Sequence, residues 1–210
     1  MRLEKASYKA IKYACLNFHY SKSMPVNTIG FSIFNNNNEW CGVILYGTGA
    51  NNNIANTYGL NQGQVIELVR MALNGKQEST SKALSISLKL IKKLVPMAKL
   101  IVSYADKDQE HTGVIYQATN WYYVGASLED KKDGSFVIDG KRIHGKSISD
   151  KCKRFGYTKN INNIKLVYKT NNIVEYITKG KLKYIYPLHN TMLDLCNKLK
   201  KDYPKKAVIA

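Results

Sequence analysis

The chain has 210 residues, 44% of them apolar and 22% charged, and 32 Lys and Arg against 15 Asp and Glu give a formal net charge of +17 at pH 7. That balance excludes a mainly disordered chain, and the length provides for one to two domains with a real core. A cytoplasmic protein with reduced, buried thiols is expected: no run approaches the ~18 apolar residues of a membrane span, Lys and Tyr interrupt the first twenty residues where a leader needs apolar ones, and Cys15, Cys41, Cys152 and Cys196 form neither a zinc-type nor a paired pattern.

Tyr8, Ile11, Cys15 and Phe18 recur at helical spacing and predict a first helix over about residues 4 to 16. Thr28–Phe34 and Trp40–Gly47 read as a hairpin across an Asn-rich loop, because Asn tolerates the positive φ of such turns. The polar stretch from Thr48 to Gly63 is long for a connector and reads as a functional loop or an insertion. Gln64–Arg70 is the next strand, and Leu84, Leu88, Ile91 and Val95 mark a helix stopped by Pro96. A strand Lys99–Ala105 ending at Asp106, a short helix over His111–Ala118 and a strand Trp121–Gly125 follow. Of the aromatics Trp121, Tyr122 and Tyr123, at least one belongs to the core. Glu129 to Gly145 reads as a second hairpin with turns at Asp133–Gly134 and Asp139–Gly140. A basic helix near Ser147–Phe155, strands near Ile164–Tyr168 and Leu182–Tyr186, and a helix from about Asn190 to Lys200 close the chain. The order predicts an α/β fold: a mixed central sheet flanked by helices over residues 1–128, with a basic α+β extension over 129–210 packed on that core.

Lysine dominates the charge, with 28 Lys to 4 Arg beside 20 Asn, a usage that an AT-rich coding sequence also produces. Its distribution is more telling. Residues 1–128 carry 13 basic and 7 acidic side chains, whereas 129–210 carry 19 and 8, so the C-terminal part is the stronger polyanion footprint. Lys141, Arg142, Lys151, Lys153 and Arg154 are the candidate contacts to duplex DNA. A glycine run at Gly47–Asn52 lacks the third glycine of a dinucleotide fingerprint, and Walker A, amino-methyltransferase and zinc-deaminase signatures are absent from the sequence.

Four stretches carry more. They are His19-Tyr20-Ser21-Lys22, Glu67-Leu68-Val69-Arg70, Val102-Ser103-Tyr104-Ala105-Asp106, and the long run His111-Thr112-Gly113-Val114-Ile115-Tyr116-Gln117-Ala118-Thr119-Asn120-Trp121. Read together they resemble the Mom family of phage DNA-modification proteins. The resemblance spans about residues 15 to 126, with Lys183–Leu188 also similar and no matching motif between Glu129 and Lys181. It implies a GNAT-like (acyl-CoA N-acyltransferase) fold and conversion of adenine in duplex DNA to N6-(carbamoylmethyl)adenine, protecting phage DNA from host restriction. By motif it places catalytic roles on His19, Tyr20, Asp106 and Tyr116, and donor binding on Arg70 and on Ser79 or Ser81. The implied donor is acyl-CoA-like or of another glycyl type, and iron, held by His19 and Asp106, is implied for some members.

The residue types suit that chemistry. The adenine amine is conjugated with its ring and must lose a proton as a new bond forms, so a base such as Asp106 at a strand end is required. Imidazole at His19 can shuttle that proton, and with a carboxylate it suits iron. Tyr20 and Tyr116 can stack on or donate to an everted base. Arg70 offers a planar fork to a phosphate or carboxylate, and Ser79–Ser81 at a helix start form an anion cradle. Plainer readings stand beside each: a turn cap for Asp106, a surface His19, an ion pair of Arg70 with Glu67, and an N-cap at Ser79. Two rival functions remain, an acetyl-CoA-dependent N-acetyltransferase of a small amine or protein and a non-catalytic basic DNA-binding protein.

Overall fold

The computed structural model describes residues 1–26, 28–49, 53–127 and 130–204. Ala50–Asn52 of the glycine run and the expected boundary at 128/129 lie outside the described residues. The chain divides into two compact units. One comprises 1–105, 112–125 and 183–210, and the other 106–111 and 126–182. Residues 183–204, grouped by charge with the C-terminal part of the sequence, therefore sit in the first unit.

The elements run β1 (Arg2–Lys5), α1 (Tyr8–Asn17), β2 (Thr28–Phe34), β3 (Trp40–Gly47), a 3-10 turn (Ile54–Tyr58), β4 (Val65–Leu73), α2 (Thr80–Leu94), β5 (Leu100–Asp106), α3 (Val114–Gln117) and β6 (Tyr122–Ser127). They continue with β7 (Lys131–Ile138), β8 (Lys141–Ile143), α4 (Gly145–Arg154), α5 (Ile161–Tyr168), β9 (Ile173–Thr178), β10 (Lys181–Pro187) and α6 (Leu193–Leu199). The helix starts follow local chemistry. Ser7 accepts from the Ala10 N–H and Ser79 from the Lys82 N–H, each satisfying a donor that the first helical turn leaves open. From those caps Ile11, Ala14 and Cys15 turn inward on α1, and Ala83, Leu84, Ser87, Leu88 and Ile91 on α2.

Seven strands form a mixed sheet in the order β1-β2-β3-β4-β5-β10-β6. β3, buried from Cys41 to Tyr46, lies between antiparallel partners β2 and β4. The parallel ladder of β4 with β5 consists of Val65–Leu100, Ile66–Ile101 and Glu67–Val102. Both strands then run on outside that ladder, β4 to Leu73 and β5 to Asp106. One core cluster packs α1 on β3 and β4, and another joins Ile54, Ala55 and Tyr58 of the 3-10 turn to Val65, Leu100, Val102, Ile185 and Cys196. Part of the polar stretch after Thr48 is thus core.

In the second unit β8-β7-β9 form a three-stranded sheet. Phe136 and Ile138 pack there with Ile148 and Cys152 of α4 and Ile164 and Val167 of α5. Among the described residues no helix is long and apolar enough to cross a membrane.

The expected α/β class and mixed sheet with flanking helices are observed. Ile164–Tyr168 is a correction: it is the end of helix α5, because Asn160 caps the Asn163 N–H and buries Ile164 and Val167 three residues apart. Asp133–Gly134 is not a hairpin turn but an irregularity within β7, where the register with β9 shifts between Lys132 and Phe136. β1 and β9 are further strands that periodicity did not mark.

Candidate active site

Past Glu67–Val102 the backbone of β4 no longer pairs with β5, and side chains take over its groups. Ser103 Oγ on β5 donates to the Leu68 carbonyl at 2.9 Å and lies 2.8 Å from the Tyr116 hydroxyl. The serine's one proton is committed to the carbonyl, so the phenol donates to the serine. Burial pushes the Tyr116 phenol up to about 12, with the charge of Glu67 adding to it, so it keeps its proton at neutral pH. Its ring packs between Trp121 at 5.1 Å and Tyr184 at 4.9 Å. The hydroxyl, not a ring face for base stacking, is the group it offers. Gly113, at φ 79° and the N-cap of α3, lets the Tyr184 ring lie on the bare α-carbon, and Tyr184 donates to the Thr112 carbonyl at 2.8 Å.

Two residues further along β4, Arg70 donates to the Ser23 carbonyl. That bond ties down the loop after α1. Within the loop His19 Nδ1 is 2.9 Å from Ser21 Oγ and accepts the Ser21 N–H, while Ser21 Oγ and Ser23 Oγ are 3.2 Å apart. The Tyr20 ring lies 4.3 Å from that of His19 and is half exposed. Arg70 also bonds the buried Cys15 thiol, which burial pushes up and the guanidinium pulls back. Among the described residues Arg70 Nε is buried with no hydrogen-bond partner. Leu68 and Arg70 stand roughly 7 Å apart along a strand, so β4 anchors the Ser103–Tyr116 pair at one point and the loop that carries His19 and Tyr20 at the next.

Glu67 is a functional candidate that sequence reasoning treated only as a salt-bridge partner. Half-buried at the last ladder pair, its charge raises the phenols of Tyr104 and Tyr116 on top of their burial, Tyr104 to about 12. Gly49, at φ 70°, faces its carboxylate, and a Cβ there would collide with Oε2. A carboxylate amid the apolar VIELV run was the available signal.

Ser79 caps α2 and its hydroxyl is 3.0 Å from that of Ser81. The first turn of this 15-residue helix carries no acidic residue, which leaves its positive end suited to an anionic donor group. Asp106 belongs to the second unit. It ends β5, is 7% exposed, and its Oδ1 accepts the Asp108 N–H at 3.0 Å. Among the described residues no group of three or more His, Cys, Asp or Glu is placed to hold a metal ion.

Of the basic candidates, Lys141, Lys153 and Arg154 are exposed. Lys151 lies 3.7 Å over the Tyr168 ring. Arg142 is engaged inside its own unit: it bonds Asp108 and Asp133 at 3.0 Å each and lies 3.8 Å over Tyr176. Burial raises the Asp108 carboxyl, but the Lys179 N–H, the Thr178 and Tyr176 hydroxyls and Arg142 together hold it below its usual value.

A seven-stranded mixed sheet that parts between β4 and β5, with a protonated phenol and an imidazole loop hung on the parting strand, defines a protein of the GNAT acyltransferase fold. Solved structures bear out the fold. A Bacillus subtilis acetyltransferase in complex with CoA is 13% identical, with a TM-score of 0.50 over 90% of this chain and 99% of that one. A spermidine N-acetyltransferase SpeG variant from Vibrio cholerae is 8% identical, with a TM-score of 0.50 over 93% and 99%. Within that class the chain belongs to the Mom protein family, whose model matches residues 1–205. It is 29% identical over 150 residues to the methylcarbamoylase Mom of Escherichia phage Mu, a match covering 69% of this chain and 60% of that protein.

Proposed function

We propose that the chain is a DNA-modifying transferase that places a carbamoylmethyl group on the N6 amine of adenine in duplex DNA, protecting phage DNA from restriction. The observation that carries this reading is the convergence on β4: Leu68 holds the Ser103–Tyr116 pair and Arg70 holds the His19–Tyr20 loop, where the strand leaves its parallel neighbour. Membership in the family of the phage Mu methylcarbamoylase supports the transferred group.

In this reading N6 attacks the methylene carbon of the donor's carbamoylmethyl group, the bond from that carbon to the leaving group breaks, and the amine proton leaves to a base. Glu67, His19 and Asp106 are the groups able to take it. The leaving group of the donor takes a proton from Tyr116, which burial keeps protonated at neutral pH, and the proton released from the amine restores it. The donor is a small molecule, acyl-CoA-like or of another glycyl type, held by Ser79 and Ser81 at the start of α2 and by Arg70. Everting the adenine costs a few kcal/mol, offset by contacts to the backbone and by stacking of the base on Tyr20. Lys141, Lys153 and Arg154, with Lys151, supply phosphate contacts from the second unit. Arg142, engaged by two carboxylates, is left out of that set.

Mass spectrometry of nucleosides from DNA co-expressed with the chain tests the reading. A deoxyadenosine bearing an added carbamoylmethyl group is the expected result. Unaltered nucleosides with DNA still bound would leave a binding protein, and acyl-CoA turnover without DNA would leave an acetyltransferase of another amine.

A further inference from the structure

From Lys5 to Asn38 the sequence contains Lys5, Lys9, Lys12 and Lys22 and no Asp or Glu. The whole of α1 falls in this stretch, and its outer side is unusual. Ile11, Ala14 and Cys15 are buried against β3 and β4. Advancing about 100° per residue, the other side presents Tyr8, Lys12, Leu16, Lys9 and Tyr13 in succession, all exposed. Tyr8 is 69% exposed, Tyr13 55% and Leu16 38%. Tyr13 is nonetheless held, with its ring edge-on to Phe18 at 5.6 Å and 5.9 Å from Trp40. The surface leads directly into the His19–Tyr20 loop, where Tyr20 is 51% exposed.

Resting on the function proposed above, we infer that this outer face of α1 is a docking surface for the DNA strand beside the everted adenine, with Lys9 and Lys12 on phosphates and Tyr8, Tyr13 and Tyr20 as stacking platforms. Charge complementarity selects the occupant. Lysines interleaved with aromatic rings, that of Tyr13 held in place, match a polyanion whose bases present π faces, and every base can stack on a phenol ring. A helix of 10 residues is about 15 Å long, the rise of roughly four base steps. A second copy paired through the same face would set Lys9 and Lys12 against their own counterparts with no carboxylate between them. A lipid surface is disfavoured because the apolar side of α1 is already turned into the core, leaving tyrosines and a single leucine between the charges.

The test uses the whole chain and two fluorescent probes, a short duplex and the same duplex with one adenine unpaired, each titrated over a salt series. Lys9→Gln with Lys12→Gln should weaken binding to both probes and reduce the salt slope by about 1.8, from two lost phosphate contacts at ~0.9 each. Tyr8→Ala, at a site with no core contact to lose, should weaken the unpaired probe by about fivefold or more while changing the paired one less. Unchanged affinities and slopes overturn the inference. So does loss of self-association in these variants with DNA binding intact, or binding to anionic vesicles that DNA does not displace. Nucleoside analysis of the wild type separates this from the chemistry. A chain that binds through α1 but alters no base keeps this surface and loses the proposed reaction. One that alters DNA while the α1 variants bind normally keeps the reaction and loses this surface.

Discussion

Replacing Tyr116 with Phe separates the chemistry of the phenol from its packing. The ring sits between Trp121 and Tyr184 and fills the same space without its oxygen, so the packing survives. What is lost is one buried hydrogen bond, that to Ser103, while Ser103 keeps its own bond to the Leu68 carbonyl. A typical net value for such a bond is about 0.5–1.5 kcal/mol. For a chain of this size that lowers the melting temperature by about 1–6 °C at 2–4 °C per kcal/mol. A positioned proton donor contributes roughly 10²–10⁴ in rate, equivalent to about 2.7–5.4 kcal/mol. The two predictions are therefore separable: a modestly less stable protein and a nearly inactive one. Differential scanning fluorimetry reads the first, and time-resolved nucleoside analysis on an adenine-containing duplex reads the second. Activity within tenfold of the wild type would refute the assignment and leave Tyr116 as a core residue with a buried hydroxyl.

Glu67→Gln should reduce modification while lowering the phenols of Tyr104 and Tyr116 from about 12 toward the ordinary value of 10, because a negative neighbour that opposes phenolate is gone while burial remains; ultraviolet tyrosinate titration follows this. His19→Ala and Asp106→Ala should each abolish modification with DNA affinity retained, and unfolding of either variant, seen by circular dichroism, would remove that residue from the site. Arg142→Met takes the cation from two largely buried carboxylates and should destabilise the second unit by about 3 kcal/mol, read by limited proteolysis within 126–182. Asp108 and Asp133 both ionise below their unfolded value of about 3.9, so their stabilisation is complete above that value and is lost as pH falls through the lower folded one; acid unfolding should be steepest there and shallower in Arg142→Met. Neutralising Lys151, Lys153 and Arg154 together should flatten the salt dependence of DNA binding, and an unchanged slope would take α4 out of the interface.

Much of this architecture could be read along the chain because local chemistry and packing agree. β2 and β3 fall on the predicted bounds, since an apolar β-rich pair around an Asn loop admits one pairing that buries both. α2 likewise begins at a serine cap and ends before Pro96. α5 was misread because Ile164, Leu166 and Val167 suit a strand in isolation, while the Asn160 cap and the burial of Ile164 and Val167 decide for helix. The four-residue β1 is too short to show a period. At the site, motifs marked His19, Tyr20, Arg70, Asp106 and Tyr116, but Ser103 and Glu67 acquire meaning only through the parting of β4 from β5. That parting is a relation between residues 35 apart in sequence, which no local pattern encodes.

The parting itself argues for a ligand. A strand in the middle of a sheet normally satisfies its backbone on both sides, and an unpaired buried N–H or C=O costs about as much as a lost hydrogen bond. β4 keeps its ladder with β3 up to Leu73, yet leaves β5 after Glu67. Ser103 answers for the Leu68 carbonyl, and the buried Arg70 Nε lacks a partner among the described residues. A fold that needed only stability would zip the two strands further. Instead an arginine and a relayed phenol proton stand along the opened edge, with Glu67 at the last ladder pair, and in the function proposed above the substrate completes the strand's remaining hydrogen bonds.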